Sequence, residues 1–294
     1  MSKLHPIIST LLKRIGLGII SLFFVTLIIF SSVNLLPGDF VESVLGQTRT
    51  EESVKIFRKE LGLDKPYHVR YVNWLTSAIQ GDLGSTFSGR NATYANQPQQ
   101  NTARSVSSLL KPRLFNTFFL AAMTAIIAIP LSLILGITAA LFRNSIYDRT
   151  VNASALTTIS MPEFFVAYIL IIYLASINQF FPSLSNVTSS TPFFERIYLS
   201  VLPALTLTLV TVAHMMRMTR ASIINLLSSP YIEMARLKGI SKTQVIIKHA
   251  LPNAWAPIAN IIAFNLAYLI VGVVVVEVVF VYPGIGQLMV DSVI

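Results

Sequence analysis

The fold class this sequence predicts is an all-α protein that crosses a membrane several times, and three observations predict it. Hydrophobic residues fill 53% of the 294 positions and charged residues 12%, a balance too apolar for a soluble chain of this length. Long runs almost free of formal charge recur along the chain. The basic residues collect at the ends of those runs. The net charge of +9 then reflects topology selection and anionic headgroups, because no basic nucleic-acid recognition element is present. Cysteine is absent, so disulfides and thiolate metal sites are excluded.

The first span is expected over residues 15–36, an uncharged run that reaches roughly 33 Å as a helix. Lys3, Lys13 and Arg14 precede it as in a secretory signal. The run is long for a signal, and no small-x-small cleavage site follows, so it reads as an uncleaved anchor. Four more runs are each long enough to span as a helix: residues 114–142, 150–181 (interrupted by Glu163), 199–216 and 255–276. Pro130, Pro162 and Pro203 lie in or at the ends of these runs. A membrane helix tolerates such prolines by kinking and finding other partners for the freed carbonyls. About five spans result.

If the spans alternate, Lys13, Arg14, Arg143, Arg149, Arg217, Arg220, Arg236, Lys238, Lys242 and Lys248 share one side. That excess of positive charge makes this side, with the N-terminus, cytoplasmic. The other side receives residues 178–198 and residues 34–113, the latter long enough to cross whatever its charge. Three parts follow: an N-terminal anchor (1–36), an extracytoplasmic segment (37–113), and a transmembrane core (114–294) with a cytoplasmic hairpin near 217–254. In the outer segment, Thr50 is placed to cap a helix, and Val54, Ile56, Phe57 and Leu61 follow at mixed helical spacing. With Gly62 and Pro66 as stops, two short helices are expected. "SGRNATYANQPQQNTARSVSS", residues 88–108, is polar and aperiodic and reads as a flexible insert.

The densest basic cluster lies in "EMARLKGISKTQVIIKHALPNA", residues 233–254, between two apolar runs. Glu233 opens an apolar pattern, Gly239 breaks it, Val245, Ile246 and Ile247 resume it, and Leu251 and Pro252 close it. Two short helices around a glycine bend are expected. From chemistry alone they are either an amphipathic hairpin resting on headgroups or a docking element for a cytoplasmic partner.

Glu233, Ala235, Gly239, Leu251 and Pro252 reproduce the spacing of the EAA loop in permease subunits of ABC importers that use a binding protein, with Met234 replacing the usual second alanine. "YIEMARLKGISKTQVIIKHALPNA" resembles the peptide-importer form of that loop, in which a histidine such as His249 is common. "LLPGDF", "LGLDKPYHVRYVNWL", "GDLGSTF", "ISMPEFF" and "VVEVVFVYPGIGQLM" are similar, in the family's order, to segments of the B-type permease of dipeptide and oligopeptide transporters. The resemblance covers nearly the whole chain, missing mainly the insert at 88–108.

The resemblance implies a permease subunit of an ATP-driven ABC importer in a bacterial inner membrane. It would form part of the path for short peptides or a related small solute such as nickel or glutathione. Its implied partners are a second permease subunit, two ATPase subunits, membrane lipid, and an extracytoplasmic solute-binding protein docking on residues 34–113. Glu233, Ala235, Arg236, Gly239, Leu251 and Pro252 are the implied coupling residues, in a hairpin resembling the coupling helices that enter a groove on the ATPase. Glu233 would favour the N-terminal dipole of the first helix, and Gly239 would permit a bend that a Cβ could obstruct. Arg236 and Lys238 would face acidic rims of that groove. No G-x-x-x-x-G-K-[ST] occurs, so ATP and magnesium are expected in the ATPase partners and no cofactor in this chain. No metal site or catalytic residue is expected either: His5, His68, His214 and His249 have no ligand spacing, and there is no nucleophile elbow or H-E-x-x-H.

Glu163 and Glu277 are the candidates for the transport path, since a carboxyl group in an apolar run must face an interior, water or a partner. Each also has a plainer reading. Glu163, just after Pro162, could satisfy backbone N–H groups freed at the proline or meet an arginine of the companion permease. Glu277 is either an outer gate residue or a group reaching the headgroups. Family members usually have six spans, whereas this sequence ends at Ile294, so five spans and an outside C-terminus are expected. Two other classes remain. A secondary transporter or channel would show repeats or discontinuous helices with paired ionisable residues, and no clear repeat is present. A receptor or scaffold would bind through the outer segment and signal through the hairpin.

Overall fold

The computed structural model describes residues 6–35, 41, 51–60, 62–86, 104–271 and 273–293. All regular elements among them are helical, and their extended pairing is one isolated bridge between Ser85 and Ser105. Among the described residues four helices are long and apolar enough to cross a membrane, or up to five if one sharply bent pair counts as a span. The expected all-α polytopic class is therefore the observed one. The chain divides into two compact units, Met1–Leu109 and Leu110–Ile294.

In the first unit α1 covers Pro6–Leu35. It starts before the uncharged run because Lys13 and Arg14, both exposed, can extend their apolar stems along a helix while their charges reach polar surroundings. The two short helices follow as α2 (Glu51–Glu60) and α3 (Tyr67–Ile79). Gly62, at φ 64°, ends α2: Leu63 N–H bonds the Arg58 carbonyl (2.8 Å) and Gly62 N–H the Lys59 carbonyl (3.1 Å), the paired bonds of a left-handed helix stop. Pro66 precedes α3. Thr50 and residues 88–103 of the insert lie outside the described residues. The end of the insert departs from the flexible reading. Thr86 N–H bonds the Arg104 carbonyl and Val106 N–H the Gly84 carbonyl, and a helix begins at Val106.

That helix, α4 (Val106–Leu141), includes Lys111, Pro112 and Arg113 ahead of the expected run. Its buried face is built from small residues, among them Ala121, Ala125, Ala128, Ser132, Gly136 and Ala140. A Cβ at Gly136 would sit 2.8 Å from the Met216 carbonyl oxygen and 2.9 Å from Thr219 Cβ. Glycine thus lets α4 touch the backbone of α7 (Phe193–Leu227), the close approach that drives helix packing where lipid removes the hydrophobic incentive. Helix α7 is the centre of the second unit, with 72% of its apolar window buried.

The third apolar run is not one straight helix, which corrects the single helix expected for residues 150–181 and leaves a bent pair. Helix α5 (Ile146–Ser160) stops at Ser160, and α6 (Glu163–Leu170) leaves at 103° to it. Pro162 is the reason, because its ring denies the preceding residue a helical conformation. Met161 is accordingly extended, at φ −92° and ψ 133°. Helix α6 continues in wide turns over Ile171–Ile177. After α7 come α8 (Pro230–Leu237), α9 (Leu251–Val271), α10 (Val274–Val279) and α11 (Ile285–Asp291).

At the hairpin end of the bundle, α5 is fastened to α7. Asp148 is 3% exposed, and its carboxylate accepts Arg220 Nε and Nη2 at 2.7 and 2.8 Å. Asn152 Nδ2 (2.7 Å) and the Asn144 backbone N–H (2.9 Å) also donate to it. Arg220, expected among charges at the membrane surface, is instead half of an ion pair. Replacing Arg220 with Met leaves Asp148 buried without its cation and should cost about 3 kcal/mol of stability. Adding Asp148→Leu should recover most of that loss. Thermal unfolding in detergent measures both, and a double variant no more stable than the single one would contradict the pairing.

Candidate functional site

The hairpin begins where α7 ends. Ser229 Oγ bonds back to the Leu226 carbonyl, and the Ser229 carbonyl accepts from Ile232 and Glu233 N–H at 3.0 and 3.2 Å, which starts α8. Ile232 and Ala235 form the buried side of α8, packed with Val245 and Ala250. Gly239, at φ 77°, closes α8. Ile240 N–H bonds the Ala235 carbonyl (3.3 Å), and Ile240 packs on the cluster that contains Ala235. A backbone bond and an apolar contact across a left-handed residue are the parts of a helix C-cap. The interval from Ala235 to Gly239 is therefore the spacing of that cap. A Cβ built on Gly239 meets nothing within 4 Å, so the expected steric obstruction is absent and the backbone conformation alone calls for glycine.

The second half of the hairpin also differs from expectation. Lys242–Gln244 make one turn, Val245–Ala250 follow in wide turns, and the chain runs on into α9 instead of stopping at Leu251 and Pro252. In a regular helix the Pro252 ring would press on the carbonyl four residues back. The wide turns, with Leu251 N–H reaching the Ile246 carbonyl, displace that carbonyl and let the helix pass. Leu251 packs against the cluster of Ala140, Ile223, Ile246, Ala254 and Ile258, and Pro252 is exposed. Glu233 is exposed in the first turn of α8; the Arg236 side chain lies outside the described residues. Tyr231, Met234 and Leu237 are 42%, 57% and 77% exposed, an apolar edge turned away from Ile232 and Ala235.

At the opposite end of the second unit, Glu277 on α10 is fully buried. Thr117 Oγ1 donates to its Oε1 at 2.7 Å, and the N–H groups of Gly286 and Gln287 donate to its Oε2 at 2.7 and 3.2 Å. A gate and a contact with headgroups were the two readings of Glu277; within this chain the turn into α11 wraps its carboxyl. Gly284 and Gly286 make the wrap possible. A Cβ on Gly284 would overlap the Glu277 carboxyl, and one on Gly286 would lie 2.6 Å from Val274 Cα.

The network extends further. Asn116 donates from Nδ2 to the Pro283 carbonyl (2.9 Å), and its own carbonyl accepts the Tyr282 hydroxyl (2.9 Å). Its Oδ1 accepts from Arg196. Arg196 is 6% exposed, donates to the Thr188 carbonyl at 2.6 Å, and lies over the rings of Phe115 and Phe119 at 5.2 and 5.8 Å. Val281 stands at φ 51°, a left-handed conformation that a β-branched residue holds only when its surroundings impose it.

Glu163, half-buried at the start of α6, accepts the hydroxyl of Tyr268 on α9. Its partner thus comes from its own chain. Asn116, Thr117, Asp148, Arg196 and Tyr282 escaped the sequence reading, since each looks like an ordinary residue near the end of an apolar run. The one available signal was "GIG" ten residues or fewer after a lone glutamate.

Residues 132–294 match the family described as "Binding-protein-dependent transport system inner membrane component". Residues 7–121 match "Binding-prot-dependent transport system membrane comp, N-term". The chain is 34% identical, over 96% of its length and 85% of the relative's, to "Glutathione transport system permease protein GsiC" of Salmonella choleraesuis. The protein of that name from Salmonella typhi stands at the same 34%, with the same coverage of 96% and 85%. Its Escherichia coli counterpart is 32% identical, again over 96% of this chain and 85% of the relative.

The two kinds of glycine separate by stability. Gly239→Ala, in open space, should cost about 1 kcal/mol for its backbone conformation. Gly284→Ala drives a methyl into the Glu277 carboxyl and should cost about 3 kcal/mol, less in a Glu277→Ala background. Unfolding midpoints of the native chain and these four variants give the comparison, and equal losses at the two glycines would refute the distinction.

Proposed function

Because this chain belongs to the family of binding-protein-dependent transport system inner membrane components and is a permease subunit of an ABC importer, we propose that α8 is the element an ATPase subunit grips. A subunit of this family is a multi-pass inner membrane protein that works with other permease, ATPase and binding-protein subunits. Membership decides against the ATP-independent carrier and the receptor. The observation that carries the proposal is the exposed edge of Tyr231, Met234 and Leu237 on a short helix whose other side is anchored by Ile232 and Ala235. An apolar edge held rigid at the tip of a hairpin suits insertion into a groove.

In this reading the hairpin and the N-terminus are cytoplasmic, on the side the basic residues favour. Glu233, Ala235, Arg236, Gly239, Leu251 and Pro252 carry the coupling, in different ways. Ala235 and Gly239 shape the cap, Leu251 ties the hairpin to the bundle, and Glu233 and Arg236 are the charged contacts. The complete importer has a second permease subunit, two ATPase subunits holding ATP and magnesium, and an extracytoplasmic solute-binding protein. The solute is a short peptide or a peptide-like molecule, a class that includes the glutathione named for the relatives. Half-buried Glu163 is the carboxyl group placed to meet that path.

Tagged chain purified from its own cells should bring ATPase subunits with it. Glu233→Lys and the pair Met234→Ser with Leu237→Ser should lose them while the chain still inserts in the membrane. Undiminished recovery with both variants would refute the docking role. Glu163→Gln should change the KM for uptake with ATPase recovery unchanged, and unaltered kinetics would leave Glu163 only its bond to Tyr268.

A further inference from the structure

We propose that α3 is an interfacial membrane helix, seated beside α1 at the boundary between headgroups and hydrocarbon, with its Val72, Leu75 and Ile79 edge in phospholipid. The depth of α3 follows from what it touches. Helix α1 has 30 residues, about 45 Å of helix, enough for the hydrocarbon core and both headgroup layers, together about 40–45 Å. The uncharged run of α1 begins at Ile15, and about 30 Å of hydrocarbon, or twenty residues, then ends near Asn34. That places Asn34 at the boundary and Phe30 about one turn beneath it.

Four residues of α3 gather on Phe30. The rings of Tyr67, Tyr71 and Trp74 stand 5.3, 5.4 and 6.0 Å from its ring, and the Arg70 guanidinium lies 6.0 Å above it. Tyrosine, tryptophan and arginine are the side chains that favour this region; Arg70 and Tyr67 turn their polar ends toward Asn34 and Ser31 near the boundary, while the Tyr71 hydroxyl is satisfied lower, at Thr26. Hydrogen bonds hold the register. Tyr67 Oη donates to Ser31 Oγ at 2.5 Å, Arg70 Nη2 to Asn34 Oδ1 at 2.6 Å, and the hydroxyls of Tyr71 and Thr26 are hydrogen-bonded at 3.0 Å.

This contact uses positions 67, 70, 71 and 74, one helical stripe. Val72, Leu75 and Ile79 recur beside it, at i, i+3 and i+7. Val72 is 54% and Ile79 77% exposed, and Asn73 and Ser77 fall on the remaining face. The occupant of the apolar edge is lipid because α3 is seated on α1, a membrane helix with none of its apolar window buried within the chain.

The absence of cysteine makes single-site labelling direct. The full chain carrying Val72→Cys, Ile79→Cys or Asn73→Cys, each with a nitroxide, is reconstituted in phosphatidylcholine–phosphatidylglycerol vesicles. Collisions with oxygen, which partitions into lipid, are compared with collisions with a water-soluble nickel chelate. Ile28→Cys on α1, 62% exposed in the native chain, supplies the value for a lipid-facing site. The oxygen-to-nickel ratio should approach that value at 72 and 79 and fall well below it at 73. Ready collision with nickel at all three positions would place α3 in water. Shielding of 72 and 79 from both agents would give the edge to a protein contact. Either result overturns the proposal.

Discussion

The second unit depends on one helix being held at both ends. Arg196 and Arg220 on α7 are 24 residues apart, about 36 Å of helix, slightly more than the roughly 30 Å hydrocarbon core. Neither arginine is simply left to water. Arg220 closes on the Asp148 carboxylate, and Arg196 is absorbed by Asn116, the Thr188 carbonyl and two phenylalanine rings. A buried cation without such partners would be prohibitively costly. The same contacts that satisfy the arginines therefore fix α5 against one end of α7 and α4 against the other. Gly136 then sets how closely α4 can lie between them.

Apolar length was enough to find α1, α4, α7 and α9, but it placed their ends too close together. A helix continues through a lysine or arginine whose charge finds water or a partner, as α7 does through Arg196, Arg217 and Arg220. Direction was not legible at all in residues 150–181, since hydropathy is the same before and after a bend. Only the backbone restriction at Pro162 distinguishes one straight helix from two helices at 103°. Asp148 and Arg196 were missed for a different reason. Their partners lie 72 and 80 residues away, and a single sequence carries no record of such pairing. The EAA-type spacing was legible, and its physical content is now specific: a left-handed cap at Gly239 and a wide-turn passage before Pro252.

The hairpin is not an appendage. Leu227 packs in both the cluster of Ile232, Ala235, Val245 and Ala250 and the cluster of Ala140, Ile223, Ile246, Ala254 and Ile258. A displacement of α8 would therefore be felt by α9 through the wide turns at Val245–Ala250, where the helix ladder is already irregular. The opposite end resists. Glu277, Thr117, Asn116 and Tyr282 fasten α10 and the turn into α11 to α4, and the strained backbone at Val281 persists because that network over-determines it.

Contiguity alone does not make a transmission route; a route needs an element with two arrangements. Helix α6 is tied to α9 by Glu163 and Tyr268, whereas α5, on the other side of the break at Pro162, is tied to α7 by Asp148 and Arg220. Helix α6 also packs on α7, where Ala167 shares a buried cluster with Leu202, Ala204 and Leu207, so a shift of α9 along α7 would strain either that packing or the Glu163–Tyr268 bond. The proline that splits the third apolar run thus joins two helices that both rest on the central helix, α5 through Asp148 and Arg220 and α6 through Ala167.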